Sequence, residues 1–305
     1  MVRADDEQRS AKPSYTARRL GPSLLTSWTW DPAQLLLIAA AAFLYYRRAA
    51  TLAGRGTPVP AWRRWVFGLG LGLAFLAVAS PIHALGEQQF FFVHMLQHIL
   101  LGDLGPLCLV AGLTGPLLRP VLALPVVERL RVLAHPLVAF PLWAANLLLW
   151  HLPFAYQGAL HHSALHAAQH ILFFTCGCLM WAPVVEVLPA PEWFGAGANL
   201  GYIAAVRIVE TILGNVFVWS GGVFYHYYDH PIQRWGISPH ADQGIAGGLM
   251  MIEGSLVTLG ALAWLFLRLG RESEQRQRLL DQGVDTRAAT RAVRYGRGRE
   301  LSGPQ

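Results

Sequence analysis

Charge is scarce in this chain. Asp, Glu, Lys and Arg make up 14% of its 305 residues, where about a quarter is usual for soluble domains. Lys12 is the only lysine, so nearly all cationic charge is arginine. Three cysteines, Cys108, Cys176 and Cys178, are spaced in a way that gives no disulfide framework. The apolar stretches contain no nucleotide-binding glycine loop, nucleophile elbow or zinc-protease signature. These absences argue against a soluble multidomain enzyme and predict a protein that is not an enzyme.

What is abundant is apolar length. Hydrophobic residues make up 54% of the chain. The charges crowd into residues 1–20, 47–64 and 268–299, leaving long apolar runs between them. That pattern predicts an all-α integral membrane protein. Seven apolar spans are expected near Trp30–Tyr46, Trp65–Ile82, Gln89–Leu113, His135–Leu152, Ala164–Leu188, Leu200–Val223 and Gln243–Leu267. The fourth is the shortest, with Pro141 as an expected kink. Leu118 to Val132 is too polar to span and reads as an amphipathic surface segment. Trp28, Trp30, Trp62, Trp65, Trp193 and Trp235 fall at span ends, where interfacial tryptophan belongs. The chain thus divides into a polar N-terminal tail (1–29), a membrane domain (30–268) and an Arg-rich tail (269–305). Met1 to Thr26 lacks the basic-then-apolar order of a signal peptide and is expected to be retained.

Arginine counts set the expected orientation. The first connection carries Arg47, Arg48, Arg55, Arg63 and Arg64, the third carries Arg119, Arg129 and Arg131, and the C-terminal tail holds nine arginines from Arg268 to Arg299. The second and fourth connections have none. The N-terminus is therefore expected outside and the C-terminus in the cytoplasm. In this reading the net charge of +6 reflects topology, and the basic tail needs no nucleic acid.

Histidine stands out against this background. Two stretches nearly repeat, His94-Met95-Leu96-Gln97-His98 and His166-Ala167-Ala168-Gln169-His170. On helices, residues four apart share a face. With the expected topology, eleven of twelve histidines fall in the outer half, and His135 is the exception. The two pairs lie at similar depth on spans that run in the same direction, so they are expected to meet. Imidazole is the commonest metal-ligating side chain. His162 lies one turn outward of His166, Met95 adjoins the first pair, and Met250 is expected at comparable depth. Imidazole with thioether suits copper, whereas the few acids at this depth argue against Mg²⁺ or Ca²⁺. The candidate metal ligands are His94, His98, His166, His170, His162, Met95 and Met250.

Other polar residues read differently. Arg207 and Glu210 suit a local ion pair. Asp103, nine residues past His94, is expected on the opposite face. Asp242 and Glu253 fall nearly on one face of the last span, suiting a cation or proton route or a contact with Arg207. Cys176 and Cys178, two apart on a helix, point apart and read as apolar filling. Gly68, Gly70, Gly72, Gly244, Gly247 and Gly248 read as small faces for close packing. The loop Tyr225-His226-Tyr227-Tyr228-Asp229-His230, with His240, reads as interfacial packing.

Four motifs occur in order: Ser80-Pro81-Ile82-His83, Phe92-Val93-His94-Met95-Leu96-Gln97-His98, His166-Ala167-Ala168-Gln169-His170, and Asp242-Gln243-Gly244-Ile245-Ala246-Gly247-Gly248-Leu249-Met250. Together they resemble the CtaG-type assembly factors of the caa-type cytochrome c oxidase, over roughly residues 30–268. The resemblance implies a bacterial plasma-membrane protein that helps mature the oxidase at its copper centres, with oxidase subunits as partners. Two alternatives start from the histidines themselves: ligation of haem, as in membrane b-type cytochromes, or a histidine-cluster di-iron oxidase.

Overall fold

The computed structural model describes residues 26–188, 191, 193–229 and 234–294. Residues 1–25, most of the expected N-terminal tail, and His230 lie outside the described residues. The described chain is helical, with no strand. Six helices are long and apolar enough to cross a membrane: α1 (Pro32–Gly54), α2 (Ala61–Ala79), α4 (Phe91–Gly112), α9 (Ser163–Val185), α10 (Ala196–Trp219) and α11 (Pro239–Asp281). Shorter helices join them: α3 (Pro81–Gln88), α5 (Gly115–Leu122), α6 (Pro125–Leu130), α7 (Pro136–Trp150), α8 (Pro153–His161) and α12 (Thr286–Arg294).

The expected fourth span is the exception. Its helix, α7, has 15 residues, which covers about 22 Å at 1.5 Å per residue. A hydrocarbon core is about 30 Å thick. The preceding Pro125–Ala134 segment meets α7 at 76°. The bend falls at His135-Pro136 and not at Pro141. A residue before proline avoids the α region, and His135 is extended, its Nδ1 accepting from the Leu137 amide at 3.3 Å. The Leu118–Val132 stretch forms short helical turns with Val121, Leu124, Val126, Leu130 and Val132 exposed, as a segment at an interface would be. All six expected interfacial tryptophans are exposed.

Three long helices run in the same direction. The first residues of α4 and α9 meet at their histidines, and the start of α11 touches the start of α4 through Asp242. At the other end, Arg268 of α11 pairs with Glu186, just past α9, at 2.7 Å. Arg63 donates to Ala111 and Leu113 carbonyls, and Arg48 to that of Pro116. The molecule therefore has a histidine end and an arginine end. His135 packs near Trp193, 6.0 Å between ring centroids, away from the clustered histidines. The last helix passes residue 268 without a break and runs on to Asp281, so the Arg-rich tail begins inside a helix. α12 then folds back on it through Leu279, Ala289, Ala292 and Val293.

Close packing depends on a few of the glycines. A Cβ at Gly177 of α9 would collide with the carbonyl of Gly102 in α4. Gly70 and Gly247 are similarly tight, against α4 and α10. Gly72, Gly244 and Gly248 face open space, so they contribute nothing to that packing. Cys176 and Cys178 flank the tight glycine as free thiols. Gly177→Ala is expected to lower the thermal midpoint in detergent by several degrees. Gly72→Ala, where the added methyl meets nothing, leaves it unchanged or raises it, since alanine is the better helix former. Equal midpoints for the two variants would show that α4 and α9 do not rest on this contact.

Candidate metal centre

The two pairs of imidazoles converge. One nitrogen from each of His94, His98, His166 and His170 lies in a group whose members are all within 4.8 Å of one another. All four residues are buried, at 0 to 8% relative exposure. His94 Nε2 faces His98 Nε2 at 2.9 Å. The Nε2 atoms of His166 and His170 are buried with no hydrogen-bond partner. Four ligands around a tetrahedral ion with bonds of about 2.0–2.1 Å would sit about 3.3 Å apart, so the cluster needs only a small contraction around an ion.

The opposite nitrogens show how the rings are held. His166 Nδ1 donates to Glu87 Oε1 at 2.7 Å. Carboxylate–histidine contacts of this kind fix the tautomer and leave Nε2 free as a ligand. Burial pushes the Glu87 carboxyl up, but the hydrogen bond from His166 and the fields of His83 and His166 outweigh it and hold the group below the ordinary carboxylate range. Glu87 is thus ionised at neutral pH. His94 Nδ1 lies 3.2 Å from the Tyr228 hydroxyl, which donates its own proton to the Gly86 carbonyl at 2.9 Å. The hydroxyl therefore accepts from His94 Nδ1–H, again leaving Nε2 as the lone pair. Burial holds the Tyr228 hydroxyl well above the ordinary phenol range, so it keeps its proton. Tyr156 completes this layer at 3.0 Å from Tyr228.

Other groups set the position of α4. Its first residues have no side-chain cap of their own. Asp242 of α11 supplies one, accepting from the Phe91 and Phe92 amides at 2.8 Å each. Asp242 thus caps α4. Gln97 donates to the Ala77 carbonyl and to His83 Nδ1, tying α4 to α2 and α3. Gly86 passes so close to the His94 backbone that a Cβ there would lie 2.9 Å from His94 Cα.

The remaining expected ligands separate from the cluster. His162 is exposed at the start of α9. Met95 and Met250 are buried in the main core, where they line a cavity with His98 and His151. His226 is exposed, and His240 bonds to the Ser220 carbonyl. Arg207 lies 3.8 Å from Glu210, as expected, and also holds the Met251 carbonyl. Asp103 does not turn away. A π-turn at Leu100–Leu104 uses one more residue per turn than an α-helix, so Asp103 returns beneath His98, lines the same cavity, and accepts from Trp181 Nε1 at 2.6 Å.

Sequence reading missed Glu87, His83, Tyr156, Tyr228, Gln97 and Gln169. The glutamine repeated inside each histidine motif was the one local signal. Both glutamines are buried, and neither end of the Gln169 amide has a partner.

The sequence pattern of the cytochrome c oxidase caa3 assembly factor family, Caa3_CtaG, matches residues 43–272, three-quarters of the chain. The chain belongs to this family. The histidine cluster, its Glu87 and Tyr228 supports and the Asp242 cap all lie within the matched region of this Caa3_CtaG member. No curated protein and no solved structure matches it.

Removing the cap is expected to loosen the first turn of α4. Asp242→Ala should cost about 1–3 kcal/mol, the usual range for a charge-assisted hydrogen bond left unmade, read by unfolding in detergent. Asp242→Asn, which keeps one acceptor, should recover part of the loss. Full stability in the alanine variant would rule out the cap as a support.

Proposed function

We propose that this caa3 assembly factor binds copper at His94, His98, His166 and His170 and delivers it to an oxidase subunit from the outer side of a bacterial plasma membrane. The observation that carries the reading is the convergence of four buried imidazoles, with the Nε2 atoms of His166 and His170 unpartnered beside the paired Nε2 atoms of His94 and His98. Burying such groups unpaired is costly, and an ion satisfies them together. Neutral nitrogen ligands suit copper, zinc and iron. The thioethers of Met95 and Met250, which line a cavity with His98, favour copper among these. Glu87 supports the same reading, since its carboxylate raises the basicity of His166 and adds negative charge beside a cation. Its side chain is 29% exposed, which makes it the wet edge of the site.

The protein acts here as a carrier and not as a catalyst. Haem fits the site less well, because the nitrogens point at a common centre and do not flank a flat slot. A histidine-cluster di-iron oxidase needs ligands for two irons, whereas the cluster brings one nitrogen from each of four histidines together, a set suited to one ion. In topology, α7 with its bent neighbour makes the fourth of seven passes, with the N-terminus outside and the arginine end in the cytoplasm. The separation of histidines from arginines along the bundle supports this orientation.

The test is copper binding by the purified protein in mild detergent, alongside oxidase activity in the cell. His94→Ala with His98→Ala should lower bound copper and oxidase activity together. Glu87→Gln should weaken binding about 10–100-fold while leaving the fold intact. Protons compete with the metal for imidazole, so acidification should release copper. Copper content unchanged in the double variant, or a Soret band in the wild-type spectrum, would defeat the proposal.

A further inference from the structure

Directly beneath the four-histidine cluster is a separate cavity of about 50 Å³. His98 is the wall between the two: its Nε2 faces His94 above, while its Nδ1 is buried with no partner. His151 lines the same cavity. Its Nδ1 donates to the Leu147 carbonyl at 2.7 Å, which leaves Nε2 as the lone pair, and that atom is buried and unpartnered. His151 is 7% exposed, and its ring centroid lies 6.4 Å from that of His98. Met95 and Met250 complete the upper wall, and Asp103, Glu210 and Glu253 form the floor. Of these acids Glu253 leaves Oε1 buried without a partner, and Arg207 is the cation beside them. The cavity thus brings together two thioethers, two unsatisfied imidazole nitrogens and three carboxyl groups. Such a space is suited to a soft cation. It has room for an ion with at most a few waters.

We propose that this cavity is a second, deeper copper site, in which one Cu(I) ion is held by His151 and the thioethers of Met95 and Met250, with His98 passing the ion inward. Thioether and imidazole are ligands that select Cu(I). The carboxyl groups of Asp103, Glu210 and Glu253 also line the cavity, but the proposed ligand set keeps to the soft donors that Cu(I) favours. A neutral imidazole has one lone pair. His98 therefore serves the outer cluster through Nε2 or the inner cavity through Nδ1, but not both at once, and a shift of its proton between the two nitrogens moves it from one role to the other. No electron transfer is involved, because the ion enters and leaves as Cu(I). The passing role of His98 rests on the outer cluster being a copper site, whereas the inner site stands on its own residues.

The experiment loads the full-length protein with Cu(I) under oxygen-free conditions in mild detergent. It reads copper per chain together with the copper X-ray absorption spectrum. Wild type should hold two ions per chain, with sulfur scattering present. Met95→Leu with Met250→Leu, swaps that conserve volume, should hold one ion and lose the sulfur signal. His166→Ala with His170→Ala should also hold one ion and keep that signal. A wild-type spectrum with nitrogen neighbours alone, or two ions retained by the methionine variant, overturns the inner site and leaves the outer one standing. Two sulfur-bound ions retained by the His166/His170 variant would instead remove the outer site. If the methionine variant fails to fold, the wild-type sulfur signal still decides.

Discussion

Two helices touch backbone to backbone where Gly177 meets Gly102, and the histidine cluster depends on that contact. With no side chain between them, α4 and α9 run close enough for rings two turns above to share a centre. In a bilayer, small residues let helices approach, and polar side chains then find partners across the gap. Here the partners are mutual: each imidazole presents a nitrogen to the others. The same closeness leaves Phe173 packed against both Gly102 and the His98 ring.

Around this contact the protein fixes rings by their far nitrogens. Glu87 accepts a hydrogen bond from His166 Nδ1, and the Tyr228 hydroxyl accepts one from His94 Nδ1. Both supports come from short segments at the histidine end, not from the long helices themselves. Asp242 pins the first turn of α4 from a third helix. The segments that carry Glu87, Tyr228 and Asp242 are therefore tied to the histidine helices by polar contacts.

Much of this was legible in the sequence. The spacing of four within each histidine motif, on spans with a common direction, placed all four rings together. The arginine pattern separated one end of the bundle from the other. What failed were inferences from regular geometry. Asp103 was put on the wrong face because a π-turn leaves no mark in an apolar run. The fourth span, read as the shortest, begins at Pro136 close to its expected start, but the bend lies at that boundary and not at Pro141. Asp242 and Glu87 were illegible for another reason. Asp242 is about 150 residues from the amides it caps, and Glu87 lies in a stretch that reads as a connection. No local pattern encodes a partner that far away. The glycines split for the same reason, since a small residue shows where close approach is allowed, not where a neighbour is.

The π-turn at Leu100–Leu104 also governs how the two halves of α4 are oriented. Above it, His94 and His98 face α9; below it, Gly105 and Leu109 meet Gly70 of α2. Those two bearings are incompatible on one regular helix. The surplus residue acts as a swivel, turning the lower half by roughly a quarter-turn relative to the upper. Shortening the segment by one residue would restore an ideal α-helix and set the halves at odds, so that either the imidazoles or the α2 seam would lose its alignment.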